Sequence, residues 1–323
     1  MSHAVLPQAL KALDPVLTDR IVLSNQASEA THVHLSHHPH VDVSAQAESL
    51  HLTVHASQAQ APVLHIIFMA DSAPLEKHLH ITLDADANLD LMEWVIGSDR
   101  HPINVQVTTT LNPRASLRHT TLSDVARDTP LSIMRRAVLA EQANLLSTHA
   151  AFASALTHQE QHIHLKGYRA EATARLVALT DGTQEALFKT YIEHHAPDTT
   201  SLIEHYGVAN AASTLLFEGA SIIHKGMKRS RAHQANKGLV IGEQARLDAN
   251  PLLLIDEYDV EAGHGAAIGR IDEQQLYYLM SRGLTRKSAE RLIINGYLAP
   301  LKAVIADEAL TGHIETLLES KTK

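Results

Sequence analysis

Apolar and polar residues alternate in short runs along most of the chain. Val33 and Leu35, Val41 and Val43, then Leu50, Leu52 and Val54 are each separated by a single residue. Leu79, Ile81 and Leu83 repeat the pattern, as do Ile103, Val105 and Val107. A period of two sends successive side chains to opposite faces, so these runs predict strands with one buried face and one wet face. The runs are short and broken by Pro, Asp, Asn and Ser turns. No long helical pattern separates them, which disfavours a doubly wound α/β sheet.

A longer repeat overlies the alternation. Ala-x-Leu recurs at Ala87–Leu89, Ala115–Leu117, Ala143–Leu145, Ala174–Leu176 and Ala245–Leu247, and Ser213–Leu215 falls inside the last gap. The first three intervals are 28, 28 and 31 residues. A fixed period with strand character indicates a solenoid or a propeller. Propeller blades need roughly 40–50 residues and carry Gly and aromatic marks. With 14 Gly in the whole chain, a β-helix fits better. Residues 30–270 then make about eight coils, stacked about 4.8 Å apart, with ends that need caps or partners.

The period changes at both ends. Leu10, Leu13 and Leu17 have helical spacing around Pro7 and Pro15, which suggests a short helical segment or a frayed tail over residues 1–20. The β region is read as residues 21–271 and a helical segment as 272–323. Asp272 with Gln275 three residues on resembles a helix start, Leu276, Leu279 and Met280 share a face, and Gly283 suits the end. Thr285 starts a second helix with Ala289, Leu292 and Ile293, closed by Gly296. A third is expected within Asp307–Leu318.

Composition narrows the chemistry. The 323 residues include 24 His, no Cys and 12 aromatics. Disulfides, thiolate metal sites and thiol nucleophiles of the chain's own are therefore excluded. The net charge of −9 argues against general binding to nucleic acid or anionic membrane. The start of the sequence lacks a basic region followed by an apolar run, so no signal peptide is expected and the cytoplasm is the expected compartment. Val63–Ala70 is too short to span a bilayer.

Most histidines read as background. His32, His34, His38 and His40 share one parity on the polar side of their strands, as do His51 and His55. Such positions can bind a surface metal, but a wet strand face explains them. His194-His195, just before Asp198 and Thr199, is either a metal or acid–base site or a turn whose Asp and Thr satisfy local backbone groups. Lys225, Lys228, Arg229 and Arg231 form a basic cluster that can hold an acidic loop or simply face solvent. Phosphate-loop, dinucleotide, zinc-helix and nucleophile-elbow motifs are absent. His264 stands apart, between Gly263 and Gly265 at the junction of coils and helices. The glycines leave its imidazole clear of neighbours, and imidazole can replace thiolate at an iron of a cluster.

Longer motifs carry a resemblance. His195–Ser201, Phe217–Ile223, Gln234-Ala-Asn236, Asn250–Ile255, His264–Glu273 and Leu276–Gly283 together resemble the SufB/SufD family of iron–sulfur cluster assembly scaffolds, more its SufD branch. The resemblance implies a right-handed parallel β-helix flanked by helices. It implies a complex with a SufB-like partner and a SufC-like ABC ATPase. His264 matches the family's proposed iron or cluster ligand at the partner interface. The cluster or iron would be transient and shared with the partner, with no resident cofactor. The segment carrying Asp272, Leu276, Tyr277, Leu279, Arg282 and Gly283 matches the ATPase-docking region. The family's N-terminal helical region is much reduced here, and Ala262-Gly263 stands where relatives often have Ser, sometimes with a preceding Cys. The chain is expected to be non-catalytic, and a homodimer of the isolated chain stays open. Two rival readings are a β-helix carbohydrate-active enzyme, which scarce aromatics disfavour, and a self-associating structural protein.

Overall fold

The computed structural model describes residues 19–297, apart from short breaks at 26–30, 36–38, 47, 58–60, 71–72, 99 and 153, together with Leu17. Of the helical segment expected over residues 1–20, residues 1–16 and 18 lie outside these residues, and Arg20 already begins a strand; the helix expected within Asp307–Leu318 also lies outside them. The first strands are β1 (Arg20–Ser24), β2 (Thr31–His34), β3 (Val41–Gln46), β4 (Ser49–Val54), β5 (Val63–Ala70) and β6 (Leu75–Leu83). There follow β7 (Asn88–Gly97), β8 (Ile103–Leu111), β9 (Ser116–Val125), β10 (Leu131–Leu139), β11 (Asn144–Phe152), β12 (Leu156–Leu165) and β13 (Glu171–Thr180). The last are β14 (Glu185–His194), β15 (Thr200–Ala209), β16 (Thr214–Ile223), β17 (Arg231–Val240), β18 (Arg246–Ile255) and β19 (Glu261–Arg270). Two helices close the described chain, α1 (Glu273–Ser281) and α2 (Arg286–Tyr297).

The protein is mainly β, a two-sheet solenoid of about seven turns. Odd strands from β5 to β19 stack in parallel in a ten-stranded sheet, and even strands from β4 to β18 stack in a nine-stranded sheet. Each turn contributes one strand to each sheet. At the N-terminal end the direction reverses: β2 pairs antiparallel with β1, and β3 antiparallel with β4. Val33 of β2, expected to be buried, is 48% exposed, since no described element covers that edge strand.

In-register stacking places like on like. Leu83, Leu111, Leu139 and Leu165 occupy one interior column of the nine-stranded sheet. The small residues of the repeat sit where the chain bends. Ala87, Ala115 and Ala143 are fully buried, and Asp86, Arg114 and Gln142 before them adopt left-handed φ of 64°, 61° and 55°. The next member is Ala170, after Arg169 at φ 56°, and not Ala174, which lies inside β13. Ser213 and Ala245 precede strands of the other sheet, so the Ala-x-Leu series mixes two corners. Close stacking forces glycine at Gly167, where a Cβ would lie 1.9 Å from the backbone nitrogen of Glu141.

Strict alternation holds in β6, β8, β10 and β14 of the nine-stranded sheet. It fails in the second halves of β7, β9 and β11, where both faces are buried. There the outer face of the ten-stranded sheet carries a second apolar layer with Trp94, Leu122, Phe152 and Val177. Leu17, and Ile294 with Ile293 and Tyr297 of α2, pack onto it. Helix α2 thus packs along the side of the solenoid, and no described element covers the last turn.

Candidate functional site at the open end

Strands β18 and β19 are the terminal members of their sheets, and nothing described pairs with their outer edges. Both are ten residues long. Nearly every residue of β19 is exposed. Apolar side chains line this end, with Leu252, Leu254 and Ile268 between 40% and 53% exposed. A long edge with exposed apolar residues is a template for association.

His264 sits on β19 and is exposed. Its register partner is Gln234, whose side chain is buried in the interior. Aligned positions of parallel strands face the same way, so His264 lies in the column that continues inward through Gln234, Ile203, Ala174, Ser147 and His119. The next inward column runs from Ala266 through Asn236, His205, Leu176, His149 and Thr121 to Glu93. Added Cβ atoms at the flanking glycines meet little: nothing lies within 4 Å at Gly265, and His233 Nδ1 lies at 3.6 Å at Gly263. The glycines therefore leave the space beside His264 open to an approaching backbone.

Behind this mouth the interior is polar. Gln234 Nε2 donates to Ser221 Oγ at 3.0 Å and to the Leu252 carbonyl at 2.8 Å. His205 Nδ1 lies 2.9 Å from Asn236 Oδ1, which can accept only, so Nδ1 carries the proton. His205 Nε2 then accepts from Thr190 Oγ1 at 3.1 Å. Burial pushes His205 down to about 4, so the ring is neutral at pH 7. Further in, Gln161 donates to Ser147 Oγ at 3.0 Å, and Ser147 contacts His149 at 3.1 Å. Burial, then the charge of Arg135, drive His149 well below its ordinary value. A void of about 10 Å³, near the lower limit for one water, is lined by Arg135, His149, Gln159, Gln161 and Thr190. The column ends at Glu93, fully buried, ion-paired with Arg135 and 2.9 Å from His119 Nε2.

These interior groups correct the sequence reading of the histidines. His34 and His40 are exposed as expected, and His51 stacks on His80 at 4.5 Å. But His65, His119, His149, His164, His194 and His205 are buried. Alternation identifies their faces once the strand register is known; it does not identify which face is the core. His194 fits the turn reading, with Thr199 Oγ1 at 2.7 Å and Ser201 Oγ at 2.8 Å. Asp198 pairs instead with Arg229, and Arg231 lies 3.6 Å from Glu261, so that part of the basic cluster is neutralised within the corner.

In the helical segment, the Asp272 side chain accepts from Gln274 N at 2.8 Å and caps α1. Gly283 follows at φ +95°. Leu276 is buried at 1% and Leu279 is half-buried, so both pack within the protein. Arg282 lies over the Tyr278 ring at 5.2 Å. Tyr277, Tyr278, Met280 and Leu292 are exposed. In α2 the inward residues are Ala289 and Ile294, Leu292 pointing away, and the helix runs past Gly296 to Tyr297. The position expected to close α2 is thus in its final turn.

Among the described residues no helix is long and apolar enough to cross a membrane. The sequence matches the domain family described as "SUF system FeS cluster assembly, SufBD core domain" over residues 65–297. It is 38% identical over 167 residues to the iron–sulfur cluster assembly protein SufD of Bacillus subtilis, covering 52% of this chain and 38% of that protein. It is 25% identical over 282 residues to the SufD protein of Escherichia coli, covering 84% of this chain and 66% of that one. A SufBD family iron–sulfur cluster assembly protein of Pyrococcus horikoshii is 26% identical over 253 residues, 74% of this chain and 54% of that one. The chain thus spans less than two thirds of these relatives.

Proposed function

Because the chain belongs to the SufBD core family of iron–sulfur cluster assembly proteins, we propose that it is a SufD-like scaffold subunit. Its partner is a SufB-like chain that extends both sheets at β18 and β19. The observation that carries this reading is the last turn, whose two ten-residue edges have no partner among the described residues and which carries exposed apolar side chains and His264 at its mouth. Exposed edges of this length do not persist on isolated domains without a cover.

At that joint His264 lends an imidazole nitrogen to iron or to a nascent cluster, which is cargo of the complex. The thiolates come from the partner, since this chain has no Cys. A neutral imidazole can replace a thiolate at one iron of a cluster. Tyr277, Tyr278, Met280 and Leu292 form the surface on which an ABC-type ATPase docks, with Asp272, Arg282 and Gly283 shaping the helix ends beneath it. Nucleotide hydrolysis belongs to that subunit, and this chain supplies no catalytic group of its own.

The test is anaerobic co-expression with candidate SufB-like and ATPase partners, measuring subunit ratio, iron and sulfide. Expected is a stable complex in which His264→Ala keeps the subunit ratio but loses iron and sulfide. Unchanged cluster content with unchanged assembly rules out the ligand role. Tyr277→Ala with Leu292→Asp should release the ATPase and spare the partner pair; retention of the ATPase refutes the docking surface. A second reading uses the same edge: two copies of this chain pair through their open ends, which light scattering of the isolated protein reports.

A further inference from the structure

A second cluster of metal-binding side chains lies far along the sequence from His264, on the outside of the nine-stranded sheet. His164 and Glu193 are register partners in β12 and β14. His195 follows β14 directly, and His224 follows β16. Three successive turns therefore bring three imidazoles to one carboxylate at the same corner. From this we propose that His164, Glu193, His195 and His224 form a binding site for one divalent first-row transition ion, independent of the role of His264.

The distances fit an ion. His195 Nε2 is 3.2 Å from Glu193 Oε2, and His164 Nδ1 is 3.4 Å from His195 Nε2. His164 Nδ1 is 3.7 Å from Glu193 Oε1, and His224 Nε2 is 3.4 Å from Glu193 Oε2. Donors bound at about 2.1 Å around a tetrahedral ion lie about 3.4 Å apart, which is the edge of that tetrahedron. One atom of each of His164, Glu193 and His195 falls within 4.8 Å of the others. His224, 46% exposed and stacked on His195 at 4.7 Å, is the outermost donor.

His164 is 8% exposed, and its Nε2 is buried with no hydrogen-bond partner. Its Nδ1 is the atom turned toward His195 and Glu193, so the ring meets the cluster through Nδ1. Imidazole with one carboxylate selects zinc or iron over calcium or magnesium, which prefer all-oxygen shells.

The experiment uses the full chain carrying His264→Ala, so that the two sites are separated. After chelator treatment and desalting, Zn2+ and, anaerobically, Fe2+ are titrated by calorimetry, and Co2+ is titrated by visible absorption. Expected is one ion per chain, a rise in melting temperature with added Zn2+, and a Co2+ spectrum of low coordination number. Glu193→Gln should weaken binding by more than the roughly 10- to 100-fold cost of losing an outer-shell partner. His224→Ala, at the exposed donor, should weaken it less while leaving the apo melting temperature unchanged. Absence of stoichiometric binding by any of the three ions overturns the site. So does binding that survives Glu193→Gln and His224→Ala unaltered.

Discussion

The buried charge group at the inner end of the polar column lends itself to a direct energetic test. Arg135 is ion-paired with Glu93 and donates to Thr121 Oγ1 at 3.0 Å, while His119 Nε2 holds the other carboxylate oxygen at 2.9 Å. The side chains of Glu93 and Arg135 are 0% and 4% exposed. Arg135→Met keeps the bulk of the side chain and removes the charge, which strands a carboxylate in the core. Breaking a buried pair on one side costs about 3–5 kcal/mol. For a chain of this size that corresponds to roughly 6–20 °C in melting temperature, at about 2–4 °C per kcal/mol. Replacing both partners, Glu93→Met with Arg135→Met, removes the stranded charge and should recover most of the loss.

The pH dependence has a definite sign. Burial acts to raise the Glu93 carboxyl, but the Arg135 charge and the His119 hydrogen bond outweigh it, and the carboxyl is held below its ordinary value. That contribution is complete above the unfolded carboxylate pKa of about 4.3 and is lost as pH falls through the folded value. In Arg135→Met burial dominates and raises the carboxyl, so its penalty is present at pH 7 and vanishes on protonation. The gap between wild type and variant should therefore narrow from pH 7 to pH 4. The assay is calorimetric or far-UV melting across that range. A variant melting within about 3 °C of wild type at pH 7, or a gap that does not narrow, refutes the reasoning.

Two further outcomes follow from interior packing. Gly207→Ala places a Cβ 2.6 Å from Phe217 Cζ and 2.8 Å from Leu215 Cδ2, which should cost about 1–3 kcal/mol in denaturant unfolding; adding Phe217→Leu should recover part of it. His205 is depressed to about 4 when folded, so the unfolded chain takes up its proton first as pH falls, and stability is lost from about pH 6.5 down to about 4. Melting between pH 7 and pH 4.5 should accordingly fall less steeply for His205→Gln than for wild type, and equal slopes would count against a neutral buried ring.

The solenoid was readable because its repeat is local. A 28-residue interval and strict alternation at Ile103, Val105 and Val107 need no long-range information. The helix start at Asp272 was readable for the same reason. Less visible was whatever depends on register between turns. The Ala174 copy breaks the corner series because the loop before β12 is shorter and the loop before β13 longer than in the preceding turn, so the corner falls on Ala170. Leu292 and Ile294 exchange roles because the face α2 buries is set by the apolar layer on the ten-stranded sheet. His264 stood out through its flanking glycines. His195 was noted in the His194-His195 pair, but His164, Glu193 and His224 were not joined to it, because the four span 60 residues and meet only through stacking.

The reversed strands at the N-terminal end bear on what the molecule can build. A solenoid with parallel edges at both ends could add copies head to tail without limit and grow into a fibre. Here β2 and β3 run against the direction of the turns, so the two ends are unlike and cannot dock on each other as successive turns would. Among the described strands, terminal edges that run with the turns are offered only at β18 and β19. A chain that continues the turns is therefore received at that end and not at the other.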